Sequence, residues 1–237
     1  MENCFTIDEQ PIPFTPGQTL LEACKSAGIY VPHLCHHPEF TPHGSCKLCI
    51  VIVNGRTVSA CTIMASTGQE VVVDTPELNA MRRSILQMLF VEGNHFCPGC
   101  EKSGNCQLQA LGYEFEMTTP HFVEFYPTLD VDASHPDAII DRSRCIQCEL
   151  CVRASRDVDH KEVFGLGGRG LESKLIINSP SGKLVDSAFA ITDRAAHVCP
   201  VGAILIKRVG FVEPIGERKY DREPISAETD SCEIAES

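Results

Sequence analysis

Twelve side chains with metal-ligand chemistry fall into three groups along the chain: Cys35, Cys46, Cys49 and Cys61; then His95, Cys97, Cys100 and Cys106; then Cys145, Cys148, Cys151 and Cys199. The middle group lies inside NHFCPGCEKSGNC, residues 94–106, a stretch too short to pack as an element of its own, so its four soft ligands must hold something. Thiolates grouped in this way select zinc or iron–sulfur cores. Three such centres in succession, with no substrate pocket signalled between them, read as an electron relay.

Each spacing narrows the chemistry. The first group is C-x10-C-x2-C-x11-C, three cysteines from one polar loop and the fourth from beyond a hairpin. That suits a two-iron rhomb, which needs two thiolates on each iron and backbone N–H groups aimed at its sulfurs. Gly44 and Ser45 suit that close approach. Four thiolates also suit structural zinc, although a gap of ten before C-x-x-C is unlike the paired C-x-x-C of zinc ribbons, and spacing leaves the iron count open. His36 and His37 adjoin Cys35 and raise mixed His/Cys ligation, but four cysteines suffice without them. The third group, C-x2-C-x2-C with a remote Cys199-Pro200, has the bacterial-ferredoxin [4Fe-4S] pattern; it occurs once, so one cluster is expected from it.

Composition narrows the class. A 237-residue chain with 43% apolar residues can fill ordinary cores, and its net charge of −12 points away from nucleic acid. Fourteen cysteines without an apolar leader in MENCFTIDEQ, and without any run long enough to span a bilayer, predict a cytoplasmic protein with no membrane span. In a reducing compartment C-x-x-C pairs are metal ligands before they are disulfides.

The elements that must position these ligands are also signalled. Short strands are expected at 4–10 and 12–16. A helix is expected at 20–27, opened by the Thr19/Glu22 capping box and stopped by Gly28, with Cys24 on its inner face. Asn54-Gly55 between two β-rich runs predicts a tight hairpin. Thr75, Pro76 and Gly93 delimit a helix over 76–91 with an apolar stripe of Leu78, Met81, Ile85 and Leu89, whose carboxyl end delivers the middle ligand loop. QLQALG predicts a short helix, and most of 107–135 a wrapped loop whose His121 and His135 lack ligand partners. Gly165, Gly167 and Gly170 satisfy G-x-G-x-x-G, yet LESKLIINSPSGKL continues as strand and hairpin where a nucleotide site needs a helix. The tail from Gly210 is polar and proline-bearing and is expected to be an extended arm against a partner or disordered; Cys4 and Cys232 are expected to be inert.

Residues 1 to about 75, with GQEVVVDTP closing the unit, resemble the β-grasp [2Fe-2S] front end shared by the large iron–sulfur subunit of respiratory complex I and iron-only hydrogenases. That resemblance implies Cys35, Cys46, Cys49 and Cys61 as [2Fe-2S] ligands, and a His/Cys3 [4Fe-4S] cluster at the middle group. The usual middle motif is H-x3-C-x2-C-x5-C; here it is H-x-C-x2-C-x5-C, which carries over Cys97, Cys100 and Cys106 directly and His95 with a shortened first gap. A chain of this length and order, with EGNHFCPGCEKSGNCQLQ and AAHVCPVGAI, is similar to the small iron–sulfur subunits of the diaphorase half of NAD-reducing nickel–iron hydrogenases.

The resemblance implies an α+β chain of four parts: a [2Fe-2S] ferredoxin-type domain at 1–78, a linker helix and His/Cys3 [4Fe-4S] domain at 79–135, a ferredoxin-like [4Fe-4S] domain at 136–210 and a tail at 211–237. It implies a relay of single electrons between an FMN-containing, NADH-binding subunit and a hydrogenase small subunit, and through that to a nickel–iron large subunit. FMN, NAD and the Ni-Fe centre are then expected on partners only. An equivalent relay subunit of an NAD-dependent formate dehydrogenase or NADH dehydrogenase complex is the alternative of the same class, and a free-standing iron–sulfur sensor or carrier the alternative of another.

Overall fold

The computed structural model describes residues 3–125 and 128–228. Strands β1 (Cys4–Ile7) and β2 (Gln10–Pro13) form a hairpin that reverses at Asp8 and Glu9, both left-handed, rather than near Pro11. Pro11 and Pro13 are tolerated because β2 is an edge strand, where a missing N–H breaks no ladder. Helix α1 (Leu20–Ser26) starts at the full capping box expected of Thr19 and Glu22. Strands β3 (Ile50–Val53) and β4 (Arg56–Ser59) turn through left-handed Asn54 and Gly55, and β5 (Glu70–Val72) completes a sheet of order β2-β1-β5-β3-β4. The buried face of α1, Leu20, Leu21, Ala23 and Cys24, packs on Phe5, Ile7, Val51 and Val71 of this sheet, the β-grasp arrangement. Burial pushes the Cys24 thiol up to about 12, which keeps it inert.

Helix α2 (Pro76–Glu92) begins where Thr75 accepts from the Leu78 N–H and ends at Gly93. Its buried face differs from the expected stripe. Leu78, Arg82, Leu86, Gln87 and Val91 point inward, whereas Met81 is 42% exposed. The face turns because Arg82 is drawn in: its Nη2 donates to the carbonyls of Ile50 at 2.6 Å and Val73 at 2.9 Å, tying the helix to the first sheet. Helix α3 (Gln107–Glu114) packs beside α2 in a core that includes Leu86, Leu108 and Leu111.

The third part carries an antiparallel sheet of order β10-β7-β6, from β6 (Val131–Asp132), β7 (Ala138–Asp141) and β10 (Ile204–Ile206). It also carries the short helices α4 (Leu150–Arg153) and α5 (Arg194–His197) and a hairpin of β8 (Phe164–Gly167) with β9 (Lys174–Ile177). The GLGGRG glycines lie in that hairpin, as β8 and the turn after it.

The C-terminal segment is not an extended arm as far as residue 228. Helix α6 (Lys219–Arg222) and the turn after it fold back, and Ile225, 3% exposed, enters the α2–α3 core. Burying an isoleucine side chain there returns about 1.5–3 kcal/mol. Cys232 lies outside the described residues. Among the described residues no helix is long and apolar enough to cross a membrane.

Candidate metal centres

The first four cysteines are brought together by the loop that follows α1 and by the end of β4. They lie in two close pairs. The Cys46 N–H donates to Cys35 Sγ at 3.5 Å, and the sulfurs of Cys49 and Cys61 are 3.3 Å apart. One thiol of each pair is held low by its hydrogen bond, Cys35 by Cys46 and Cys49 by Cys61, while the other is pushed up. Cys61, after Cys46, also acts to lower the Cys35 thiol, so the two pairs are neighbours. Gly44 is left-handed, and a β-carbon there would stand 3.0 Å from Thr62 Cγ2. His36, beside Cys35, is half-buried with its Nε2 enclosed and unpartnered, and burial lowers its pKa to about 4.

The second set hangs from the carboxyl end of α2. Cys97 opens a single 3₁₀ turn, Cys97–Gly99, followed by Cys100, and Cys106 stands at the N-cap of α3. Burial raises the Cys97 thiol and pushes Cys106 up to about 12. The His95 ring meets Phe90 edge-on, 5.5 Å between centroids, and its buried Nε2 has no partner. Burial, then the charge of Arg144, lowers its pKa to about 4, so the ring is the neutral imidazole that a metal takes at pH 7. Gly93 is required beneath it, since a β-carbon there would lie 2.5 Å from His95 Nε2.

The loop of this set is clamped from the far end of the chain. Asn105 Nδ2 donates to Glu213 Oε2 at 2.7 Å, Asn105 Oδ1 accepts from the Lys219 N–H at 2.8 Å, and the Gly104 carbonyl accepts from the Tyr220 N–H at 2.9 Å. Gly104 is left-handed, and a β-carbon on it would collide with the Arg218 guanidinium.

In the third set Cys145, Cys148 and Cys151 lie on one turn of chain, and Cys199 follows α5. Gln147 and Glu149 are both left-handed, which coils the turn tightly round Cys148. Gln147 is held there by its side chain on the Ser173 carbonyl, and its N–H donates to Cys145 Sγ at 3.4 Å. Burial pushes Cys145 up to about 11 and Cys148 and Cys151 well above the ordinary thiol range.

Among the described residues no group of three or more such side chains is closed round a single point. The fit of each set to a cluster therefore rests on pairing, burial and charge. Thiols buried without a compensating cation resist ionisation, and an iron core supplies the missing positive charge.

Two arginines that the spacing of cysteines does not signal join the sets. Arg144 Nη1 lies 3.5 Å from Cys100 Sγ and 3.0 Å from Glu101 Oε2, and its Nε contacts Asp141 Oδ2 at 2.9 Å, so a residue adjoining Cys145 reaches the second set. Arg153, two residues past Cys151, donates to the Cys35 and Cys148 carbonyls. The only hint of either in the sequence is an arginine next to a cysteine motif.

Comparison with known proteins fits this geometry. Residues 4–76 match a 2Fe-2S iron–sulfur cluster binding domain, 82–121 the iron–sulfur binding region of NADH-ubiquinone oxidoreductase G, and 139–206 a 4Fe-4S single cluster domain. The gamma subunit of the NAD-reducing hydrogenase HoxS of Cupriavidus necator is 40% identical over 223 residues, 94% of each chain. The chain belongs to the NAD-reducing hydrogenase gamma-subunit family. A chain in a crystal structure of NAD+-reducing [NiFe]-hydrogenase in the H2-reduced state aligns with a TM-score of 0.92 and 55% identity, covering 94% of this chain and 95% of that one. A mitochondrial NADH dehydrogenase [ubiquinone] iron-sulfur protein 1 of Solanum tuberosum is also similar, 29% identical over 214 residues. Those cover 86% of this chain but 28% of the potato protein.

Proposed function

We propose that this gamma-subunit homologue is the cytoplasmic electron-relay subunit of an NAD-reducing hydrogenase. It accepts electrons from a nickel–iron large subunit through the hydrogenase small subunit and passes them to an FMN-containing, NADH-binding subunit, or runs in reverse. In this reading Cys35 with Cys46, and Cys49 with Cys61, hold the two irons of a [2Fe-2S] cluster, one close pair to each iron. His95, Cys97, Cys100 and Cys106 hold one [4Fe-4S] cluster, with the neutral, unpartnered His95 Nε2 as the nitrogen ligand. Cys145, Cys148, Cys151 and Cys199 hold another. When bound, the clusters supply one-electron carriage, and the polypeptide supplies position, burial and charge. Domain limits of 1–78, 79–135 and 136–210, with a tail from 211, are part of the same reading; the three family matches fall inside the first three.

The observation that carries the relay is that the third set adjoins both of the others. Cys35 packs in one buried cluster with Cys148 and Cys151, and the Cys35 and Cys148 carbonyls share one guanidinium. On the other side the Pro200 carbonyl, next to Cys199, accepts from the Gln107 N–H, next to Cys106, at 2.9 Å. A β-carbon on Gly202 would lie 2.5 Å from Cys100 Sγ. The third set thus borders both of the others, and the path proposed runs first set, third set, second set, which is not the order of the chain.

Anaerobic purification with the native partners tests the reading. The expected result is stoichiometric association with a flavoprotein, hydrogen-dependent reduction of NAD, and ten irons per gamma-type chain. A colourless, zinc-loaded protein overturns it, as does a complex that oxidises formate but not hydrogen, or a chain that stays free of any flavoprotein.

A further inference from the structure

Arg153 is 3% exposed, and among the described residues it forms no ion pair. Its guanidinium is instead ringed by peptide carbonyls. Nη2 donates to Cys35 at 2.6 Å and Cys148 at 3.2 Å, Nη1 to Thr41 at 3.0 Å, and Nε to Glu149 at 3.3 Å; the Phe40 ring lies 5.9 Å from Cζ. Taking a cation out of water costs several kcal/mol even after relaxation, and dipoles return only part of it. Asp157, exposed and paired with Arg156, acts on Arg153 only through space, so a negative charge beside the buried guanidinium is the compensation that is missing. Thiolate-bound iron–sulfur cores carry net negative charge, and more of it once reduced, so the two sites flanking Arg153 would supply that charge from both sides.

The other arginines near the sets are placed differently. Arg144 bridges the second and third sets, but its charge is shared with Glu101 and Asp141. Arg82, 2% exposed, touches the Ile50 carbonyl beside Cys49 and belongs to the first set alone.

The geometry points to Arg153 as the one buried charge that raises the reduction potential of the first and third cluster sites together. The inference rests on the relay reading above. A cation stabilises whichever neighbour gains an electron, and it does so strongly at short range in a medium less polarisable than water. Because one charge serves two sites, it leaves the step between them unchanged and sets the height of the pair against the second site.

Redox titration of the intact complex, followed by EPR, tests this on wild type, Arg153→Gln, Arg153→Met and Arg153→Lys. In the two neutral variants the first and third midpoints are expected to fall together, each by about 59 mV, a tenfold change in a one-electron reduction constant. The second midpoint stays in place, and Arg153→Lys, which keeps the charge, restores most of the loss. Unmoved midpoints at full iron content overturn the inference, and so does an equal shift at all three clusters. Loss of either flanking cluster from both neutral variants overturns it too, because the guanidinium is then a strut. Wild-type complex lacking the iron would instead sink the relay reading itself.

Discussion

At the scale of single residues the informative position is the one histidine among the proposed ligands. A neutral imidazole in place of a thiolate leaves a cluster less negative by one charge, which raises its potential. His95→Cys is therefore expected to lower the midpoint of the second cluster while iron content is kept; a titration curve that does not move would remove His95 from the ligand set. Gly202 gives a steric counterpart. A methyl group there would lie 2.5 Å from Cys100 Sγ, so Gly202→Ala is expected to displace that sulfur and cost the second cluster alone, four of the ten irons, as read by iron and sulfide analysis. The cysteines announce themselves as proposed ligands because thiolate chemistry is carried by residue type and spacing. Arg153, Arg144 and Arg82 do not, because nothing local distinguishes an arginine that turns inward from one that faces water; their partners are carbonyls or carboxylates, most of them far along the chain.

Elements were legible where backbone chemistry is local. The Thr19/Glu22 box and the Asn54-Gly55 turn act within four residues, and both are in place. The α2 stripe was displaced because periodicity counts apolar residues, whereas Arg82 gains two buried carbonyls and Met81 is left outside. The left-handed Gln147 and Glu149 carry no glycine to announce them. The cap of α2 makes an energetic prediction. Thr75 satisfies the Leu78 N–H at 3.1 Å, so Thr75→Ala is expected to cost ~1 kcal/mol. In a thermal melt of the intact protein that corresponds to a midpoint lower by ~2–4 °C. Leu86→Ala, in the α2–α3 core, is expected to cost ~2–5 kcal/mol in the same measurement, because the cavity it leaves is lined from both helices.

For the whole molecule, the order proposed for the sites along the path differs from their order in the chain, and this was beyond reach of the sequence because it depends on how the third part folds back against the first two. That arrangement makes the third set the keystone of all three. Stripping iron with a chelator under reducing conditions is expected to lower the unfolding temperature of the whole chain, since binding free energy at such sites is folding free energy. The clamp on the second set has a consequence in time. Asn105 meets Lys219 across 114 positions of sequence. A chain growing from its amino end thus builds the first pocket early, yet cannot shut the middle one until Lys219 has left the ribosome.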